Sequence, residues 1–382
     1  LHRVPYACRC SFAGRFLIKI FANIVIMDIP PRIIHVPLVF PIICYVWEKV
    51  KLYKFYLHFI HAPSQNLQSR HIIGYKNDRE RGETIMPSTY AHYRLGQQVR
   101  RELEGNERKI IEKYPQLYLI GLHGPDILFY YKPLRPNPVN QIGYDLHGHS
   151  GKEFFERAKN IINSQKEKEP FLAYTYGVLN HFALDVSCHG YIEDKINESG
   201  ISHAEIEVEF DRELMIMDKK NPITQSLVRH IIPSEENAKV ISEFYPGTTM
   251  QDVKKALEGM ISYNNLLVAP SHIKRWFIYL LLKVSGNYKE MHGLIVNYHK
   301  NKACNDSTVK LLSLYRHAKN TAYQSIIKFD GFLNNACELD KAFNYSFGSV
   351  LIEGCDNNQK QCISDNIQNV ESFIKKEVQY EG

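Results

Sequence analysis

The sequence predicts an all-α fold, a single multi-helix domain, on three observations. Apolar residues recur at helical spacing in long segments, most regularly at Ile273, Trp276, Phe277, Leu280, Leu281 and Val284. Sustained alternation of apolar and polar residues is confined to Ile206-Glu207-Val208-Glu209-Phe210, which also suits a helix. The sequence contains no internal repeat and no Gly-rich phosphate-binding loop, so repeat and nucleotide-binding folds are not expected.

Composition narrows the class of protein. The chain has 382 residues, 44% hydrophobic and 23% charged, which is typical of a globular protein with a sizeable core. The net charge of +6 gives a mild attraction to phosphates or anionic lipid, but no dense Lys/Arg block resembles a nucleic-acid-binding arm. The 8 cysteines form no Cys-x-x-Cys pair and are too sparse for a disulfide framework. We therefore expect reduced thiols and a cytoplasmic protein.

Residues 1–85 differ from the rest in being aromatic, basic and without a clear period. Their apolar run, residues 33–47, is too short for a transmembrane helix and contains two prolines, and no secretory signal is recognisable. Arg81-Gly82-Glu83 can be encoded by a purine-rich stretch resembling a bacterial ribosome-binding site before Met86. We expect residues 1–85 to be a non-native or poorly ordered extension. A secreted or membrane-anchored protein is the alternative.

The remaining elements follow in order. Residues 86–116 are expected to form a helix capped by Ser88, followed by a proline-containing loop and a helix over residues 152–164. Residues 171–189 are an apolar helix interrupted by polar residues. The face at residues 273–284 and a less regular one at Val309, Leu312, Ala318 and Tyr323 are expected to be core. The helical domain would span residues 86–352, with a soft tail at 353–382.

Two short segments carry metal-ligand pairs at helical spacing. His181 and Asp185 are four residues apart, as are His203 and Glu207, so each pair shares one helix face. His189 follows Asp185 by another four residues. Imidazole and carboxylate together suit zinc, and the lack of thiolate ligands favours a catalytic over a structural site. The alternative interpretation is a set of solvated polar helix surfaces.

Further candidate ligands lie upstream: His92, Asp126, and either His147 or His149, of which we favour His147. The full order, His92, Asp126, His147, His181-x3-Asp185, His189 and His203-x3-Glu207, resembles that of the zinc-dependent phospholipase C family. Residues 86–96, Met-Pro-Ser-Thr-Tyr-Ala-His-Tyr-Arg-Leu-Gly, are similar to the start of bacterial members without a signal peptide. The ligand pattern covers residues 92–207.

The resemblance implies a role for each ligand in an all-helical domain that binds two or three zinc ions. Asp185 would bridge two ions, and one of these sites would be completed by Asp126, His147 and His181. A separate ion would be held by His189, His203 and Glu207. His92 would join Asp185 at the third, where secreted members also use the free amino terminus. If the chain began at Met86 and lost it, Pro87 would supply that amine.

Two departures from the family pattern affect this transfer. The spacing from Asp185 to His189 is shorter than in secreted members, so His189 or Cys188 would not reach quite the same place. The family's amino-terminal tryptophan is missing. Among lower-weighted residues, His123 is interpreted either as orienting Asp126 or as a loop histidine bonded to the backbone.

The function implied by the resemblance is hydrolysis of a glycerophospholipid to diacylglycerol and a phosphorylated head group. Asp126 would be both a zinc ligand and the catalytic group that orients or deprotonates the attacking water. The expected partners are a phospholipid and a membrane surface. One alternative is a single-strand nuclease on the same zinc cluster, which Glu207 disfavours because related nucleases have Asp there. A second is a non-enzymatic zinc-binding protein.

Overall fold

The computed structural model describes residues 88–133, 136–286 and 288–352. These residues form α-helices and short 3-10 helices, and within them no strand occurs, only two isolated bridges, Ser150 to Ser346 and Tyr345 to Leu351. The predicted all-α class is confirmed. In the described ranges, no helix combines the length and apolarity needed to cross a membrane. The expectations for residues 1–85, Met86 and residues 353–382 concern parts of the chain outside these ranges.

The helices of the described residues are numbered in chain order. The first six are α1 (Thr89–Glu102), α2 (Gly105–Lys113), α3 (Pro115–Gly121), α4 (Pro138–His147), α5 (Gly151–Ser164) and α6 (Glu169–Ser199). The others are α7 (His203–Met217), α8 (Glu235–Ser242), α9 (Met250–Leu267), α10 (His272–Ser285), α11 (Tyr288–Met291) and α12 (Asn305–Leu333). The 3-10 helices are Gly124–Tyr130, His292–Leu294, Lys302–Cys304 and Lys341–Asn344.

The described residues divide between two compact units. One contains described residues within 88–267 and 297–352, and with them every candidate ligand. The other contains described residues within 268–296 and therefore α10. The domain bounds expected from the sequence stay a prediction.

The single helix expected over residues 86–116 is wrong, because three helices begin within residues 86–121. Leu103 has an extended backbone after α1, and Gly105 has a φ of +71° at the start of α2. Pro115 then begins α3, and the residue before a proline is disfavoured in a continuing helix. These breaks let the chain fold back before it reaches Asp126.

Helix α6 is the centre of the larger unit. Every residue from Ala173 to Asp185 is buried, as expected for a helix surrounded by protein on all sides. It packs most extensively against α12 and α3, and also contacts α1, α2, α5 and α7. His181 and Asp185 lie at the C-terminal end of this buried stretch, so their polar groups are enclosed by the fold.

Helices α3 and α6 cross at very close range. A Cβ added at Gly177 would lie 2.3 Å from the carbonyl oxygen of Tyr118, and one added at Gly121 would lie 2.3 Å from that of Tyr174. The two glycines therefore allow a backbone separation that larger residues would prevent. This crossing brings the 3-10 helix Gly124–Tyr130, which follows α3, against α6.

Two expected core faces are wrong in detail. In α12, Val309 is 70% exposed, and the buried face is instead formed by Leu311, Tyr315, Ala318, Ala322, Ile326 and Phe329. In α10, Ile273 and Trp276 are each 58% exposed, and Leu280 and Val284 are exposed as well. The apolar spacing correctly indicated helices, but spacing alone does not tell which face other helices cover.

Candidate metal centre

Three of the candidate ligands project from one face of α6. His181, Asp185 and His189 are spaced by four residues and are all buried. Nε2 of His181 lies 2.9 Å from Oδ2 of Asp185, and Nε2 of His189 lies 3.7 Å from Oδ1. The two oxygens of Asp185 thus face different imidazoles, which is the arrangement a bridging carboxylate requires.

Helix α7 adds the second pair. The Ser202 side chain caps α7 by accepting a hydrogen bond from the Glu205 amide. His203 then occupies the first position of the helix, and its Nε2 lies 3.3 Å from Oε1 of Glu207. The same oxygen lies 3.6 Å from Nε2 of His189. The shorter spacing noted in the sequence therefore does not prevent His189 from reaching this pair, and Cys188 is not needed.

Asp126 enters from the 3-10 helix Gly124–Tyr130. Gly124 has a φ of +46°, and a Cβ at this position would lie 2.3 Å from the His181 ring, so the backbone can pass the imidazole only without a side chain. Asp126 is buried, and its Oδ1 lies 3.1 Å from Nε2 of His147. Its Oδ2 lies 3.6 Å from Nε2 of His181.

The structure separates His147 from His149. His147 is the last residue of α4 and is buried beside Asp126. The His149 ring is exposed and contacts the carbonyl of Asp145 through Nδ1. His147 is therefore the histidine that the fold brings to the other candidate ligands.

His92 reaches the group from the first turn of α1. Its Nε2 lies 3.2 Å from Oδ1 of Asp185, and its ring stacks on that of His181 with centroids 4.4 Å apart. The expected proximity of His92 and Asp185 is thus present in the structure.

Among the described residues, potential ligand atoms converge in three groups of side chains, each within 4.8 Å: His92, Asp126 and His181; His147, His181 and Asp185; His189, His203 and Glu207. The third group coincides with the set expected from the family resemblance. The first two groups differ from the sets that the resemblance implied, because His92 groups with Asp126 and His181 and not with Asp185. We refer to the eight residues of these groups as the metal centre, and their ligand roles stay a prediction.

Unpaired lone pairs show that the donor set suits metal ions. Although Nε2 of His181 and Oδ2 of Asp185 are 2.9 Å apart, neither makes a hydrogen bond. Oδ1 of Asp126, Nε2 of His203 and Oε2 of Glu207 are also buried without one. Two atoms bound to one tetrahedral zinc lie roughly 3.3 Å apart. The nitrogen–oxygen distances quoted above, from 2.9 to 3.7 Å, fit this spacing.

The electrostatics of the metal centre also call for cations. Asp126, Asp185 and Glu207 are all buried. Burial would raise the pKa of Asp185, but the imidazoles of His181, His189 and His92 hold it well below its usual range. Burial would also raise the pKa of Glu207, but His203 and His189 outweigh burial and lower it to about 2. Asp185 and Glu207 therefore remain charged and require positive partners.

Without metal, those partners are protons on the imidazoles. Burial alone would lower the pKa of His203, but Glu207 and Glu193 raise it to about 10. The pKa values of His92 and His147 are raised too, since Asp185 and Asp126 outweigh burial. Zinc binds neutral imidazole, so metal ions and protons compete for this centre.

Backbone carbonyls orient two of the imidazoles. Nδ1 of His147 contacts the carbonyl of Gly143 at 2.9 Å, and Nδ1 of His189 contacts that of Phe347 at 3.1 Å. A proton on Nδ1 leaves the lone pair on Nε2, which points at the carboxylates. Phe347 belongs to residues 345–351, where the Ser349 hydroxyl also donates to the carbonyl of Asp185.

Sequence reasoning missed three residues near the metal centre. Asp211 lies one turn beyond Glu207 on α7, and the repeated four-residue spacing could have revealed it. Glu193 lies 4.0 Å from Nδ1 of His203 and four residues after His189. His230 lies 2.8 Å from His123, ring nitrogen to ring nitrogen, and no local pattern relates them. His123 therefore contacts His230, and neither of its expected interpretations is correct.

Comparison with known proteins agrees with the site geometry. A family model described as zinc dependent phospholipase C matches residues 91–259, a range that contains all eight residues of the metal centre. The match confirms the resemblance drawn from the ligand order. No curated protein and no solved structure matches the chain.

Proposed function

Because residues 91–259 match the zinc-dependent phospholipase C family, we propose that this chain is a metal-dependent phosphodiester hydrolase acting on glycerophospholipids. The products would be diacylglycerol and a phosphorylated head group. The observation that carries the proposal is the convergence of five imidazoles and three carboxylates, among which Nε2 of His181, Nε2 of His203 and one oxygen of each carboxylate are buried without a hydrogen bond. A set of solvated polar helix surfaces would not be buried and would satisfy its polar atoms with water.

The eight residues of the metal centre would hold two or three zinc ions. When bound, zinc supplies a water of lowered pKa and positive charge against the phosphoryl oxygens. The protein supplies the arrangement of the ligands. His147 and His189 are fixed by backbone carbonyls, and His181 is enclosed between Gly124 and the ring of His92. Ligands held this rigidly lose little freedom when the substrate binds.

Asp126 is the residue best placed to handle the proton of the attacking water. Its Oδ1 is buried without a hydrogen bond, 3.1 Å from Nε2 of His147. A carboxylate with a free lone pair beside the metal ligands can accept a proton or orient the water that carries it. Asp185 is less suitable, because its oxygens face three imidazoles.

Asp126→Asn tests both parts of this proposal. The substitution keeps the size of the side chain and removes its charge, so we expect hydrolysis of vesicle phospholipid to fall about a hundredfold or more. Bound zinc, measured by atomic absorption, should fall much less. Asp145→Asn, an exposed carboxylate of α4, is the matched control and should keep wild-type turnover.

The outcomes separate the competing functions. Full turnover by Asp126→Asn at saturating zinc would exclude Asp126 as the base. Wild-type protein that binds zinc and cleaves single-stranded DNA but no phospholipid would be a nuclease. Protein that binds zinc and cleaves neither substrate would be a non-enzymatic zinc-binding protein.

A further inference from the structure

The first turn of α1 is capped by a carboxylate from a distant helix. Oδ2 of Asp211 accepts a hydrogen bond from the Tyr90 amide at 2.9 Å, and Oδ1 accepts from the Ala91 amide at 2.8 Å. The Ser88 hydroxyl donates to Oδ1 at 2.5 Å. The amides at the second and third positions of a helix have no partner within it and are normally capped by a local side chain. Ser88 holds the cap position but makes no such bond.

Asp211 occupies the same face of α7 as two metal-centre residues. His203, Glu207 and Asp211 follow one another at four-residue spacing, and all three are buried. Burial raises the pKa of Asp211 to about 6, even though Ser88 and the two amides favour its charged form. An ordinary cap on the protein surface would avoid this cost. The buried position thus connects the metal centre directly to the start of α1.

His92 depends on this connection more than His147 and His189 do. It lies in the first turn of α1, directly after Ala91, and its Nε2 lies 3.2 Å from Asp185. Its Nδ1 is buried without a hydrogen bond, whereas Nδ1 of His147 and of His189 each contact a carbonyl. No hydrogen bond on Nδ1 fixes the His92 ring, so its position depends on the backbone of the turn that carries it and on its stack against the His181 ring.

We propose that Asp211 is a positioning residue of the metal centre, which holds the first turn of α1 so that His92 reaches its metal. The proposal rests on the zinc binding assigned to the centre above. It requires no contact between Asp211 and zinc. Asp211 orients His92 through the backbone of α1. The Gly143 and Phe347 carbonyls orient His147 and His189 by direct contact with their rings.

The test measures zinc affinity of the full chain by competition with a chromophoric chelator. In Asp211→Asn an amide replaces one acceptor oxygen, so one of the two α1 amides loses its partner. We expect part of the bound zinc to bind 10- to 100-fold more weakly, on the order seen when residues that orient metal ligands are lost. Asp218→Asn is the matched control, because Asp218 lies directly after α7 and also binds α1, through Tyr90 and Arg94. It should leave zinc affinity unchanged.

A double-mutant comparison distinguishes positioning from a general loss of structure. If Asp211 acts through His92, adding Asp211→Asn to His92→Ala should weaken zinc binding no further. Additive effects would overturn the inference, as would wild-type affinity in Asp211→Asn or equal weakening in Asp218→Asn. Should Asp211→Asn fail to fold, Ser88→Ala must weaken zinc binding in its place, by a smaller factor. A wild type that binds no zinc would refute the metal centre itself, so the two failures can be told apart.

Discussion

At the scale of single residues, His123 and His230 form a buried pair beside the metal centre. Their Nε2 atoms are 2.8 Å apart, and the His230 ring stacks on that of Tyr93 with centroids 4.2 Å apart. Burial lowers the pKa of His230 to about 4, and burial together with His230 lowers that of His123 well below its usual value. Both rings are therefore neutral, and one donates a hydrogen bond to the other.

This pair should make the zinc-free protein sensitive to acid. Between pH 6.5 and pH 4 the unfolded chain binds a proton at residue 230 and the folded chain does not, so stability falls as pH falls through this window. For His230 the loss from pH 7 to pH 5 is about 1–2 kcal/mol. Urea unfolding in EDTA at both pH values should show His230→Gln losing less stability than wild type.

His149→Gln is the control for this measurement, because His149 is exposed just beyond the end of α4. It should follow the wild-type dependence on pH. Identical losses in wild type and His230→Gln would mean that His230 is already accessible to protons in the folded protein.

At the scale of elements, the crossing of α3 and α6 should control the geometry of the metal centre. A Cβ at Gly177 would meet the Tyr118 carbonyl at 2.3 Å, so Gly177→Ala must push α3 away from α6. Overpacking of this kind typically costs about 1–3 kcal/mol of folding stability. Because Asp126 follows α3 by a few residues, zinc affinity should also fall.

Gly190→Ala provides a control on the same helix. Gly190 is exposed, and its added Cβ would have its nearest neighbour at 3.9 Å. Alanine is the better helix former by about 1 kcal/mol, so this variant should be unchanged or more stable. Thermal unfolding and chelator competition on both variants decide the matter. Wild-type stability and zinc affinity in Gly177→Ala would show that the crossing can relax without consequence.

Local geometry explains which parts of the metal centre the sequence could predict. His181, Asp185 and His189, like His203 and Glu207, are related by helical spacing within one element, so their shared face follows from the sequence alone. His92, Asp126 and His147 come from three separate elements and converge only through tertiary packing. No periodicity connects them, and only the family resemblance placed them together.

Packing also explains what the sequence could not predict about the helices. The apolar spacing in α12 predicted a helix, but the buried face contains Leu311 and Tyr315 in place of Val309 and Leu312. A helix with apolar residues on several sides has more than one candidate core face. The first helix also ends earlier than the sequence predicted, because the backbone becomes extended at Leu103.

At the scale of the whole molecule, the metal centre joins helices that are far apart in sequence. Its residues come from α1, α4, α6, α7 and the 3-10 helix Gly124–Tyr130, and it encloses three buried carboxylates. Binding of zinc to the folded chain alone would add its binding free energy to folding stability. Removing zinc should therefore lower the thermal unfolding temperature of the unit as a whole.

The three groups of ligands predict an order of effects among single variants. His181 belongs to two groups, His92–Asp126–His181 and His147–His181–Asp185, whereas His203 belongs only to His189–His203–Glu207. His181→Ala should therefore lose more zinc than His203→Ala, and its unfolding temperature should respond less to EDTA. Atomic absorption and thermal unfolding with and without EDTA measure both quantities. His149→Ala, outside all three groups, should keep the wild-type zinc content and EDTA response. If His181→Ala and His203→Ala both retain full zinc, the ions bind elsewhere. If His203→Ala loses the most, the third group holds more of the zinc than the other two.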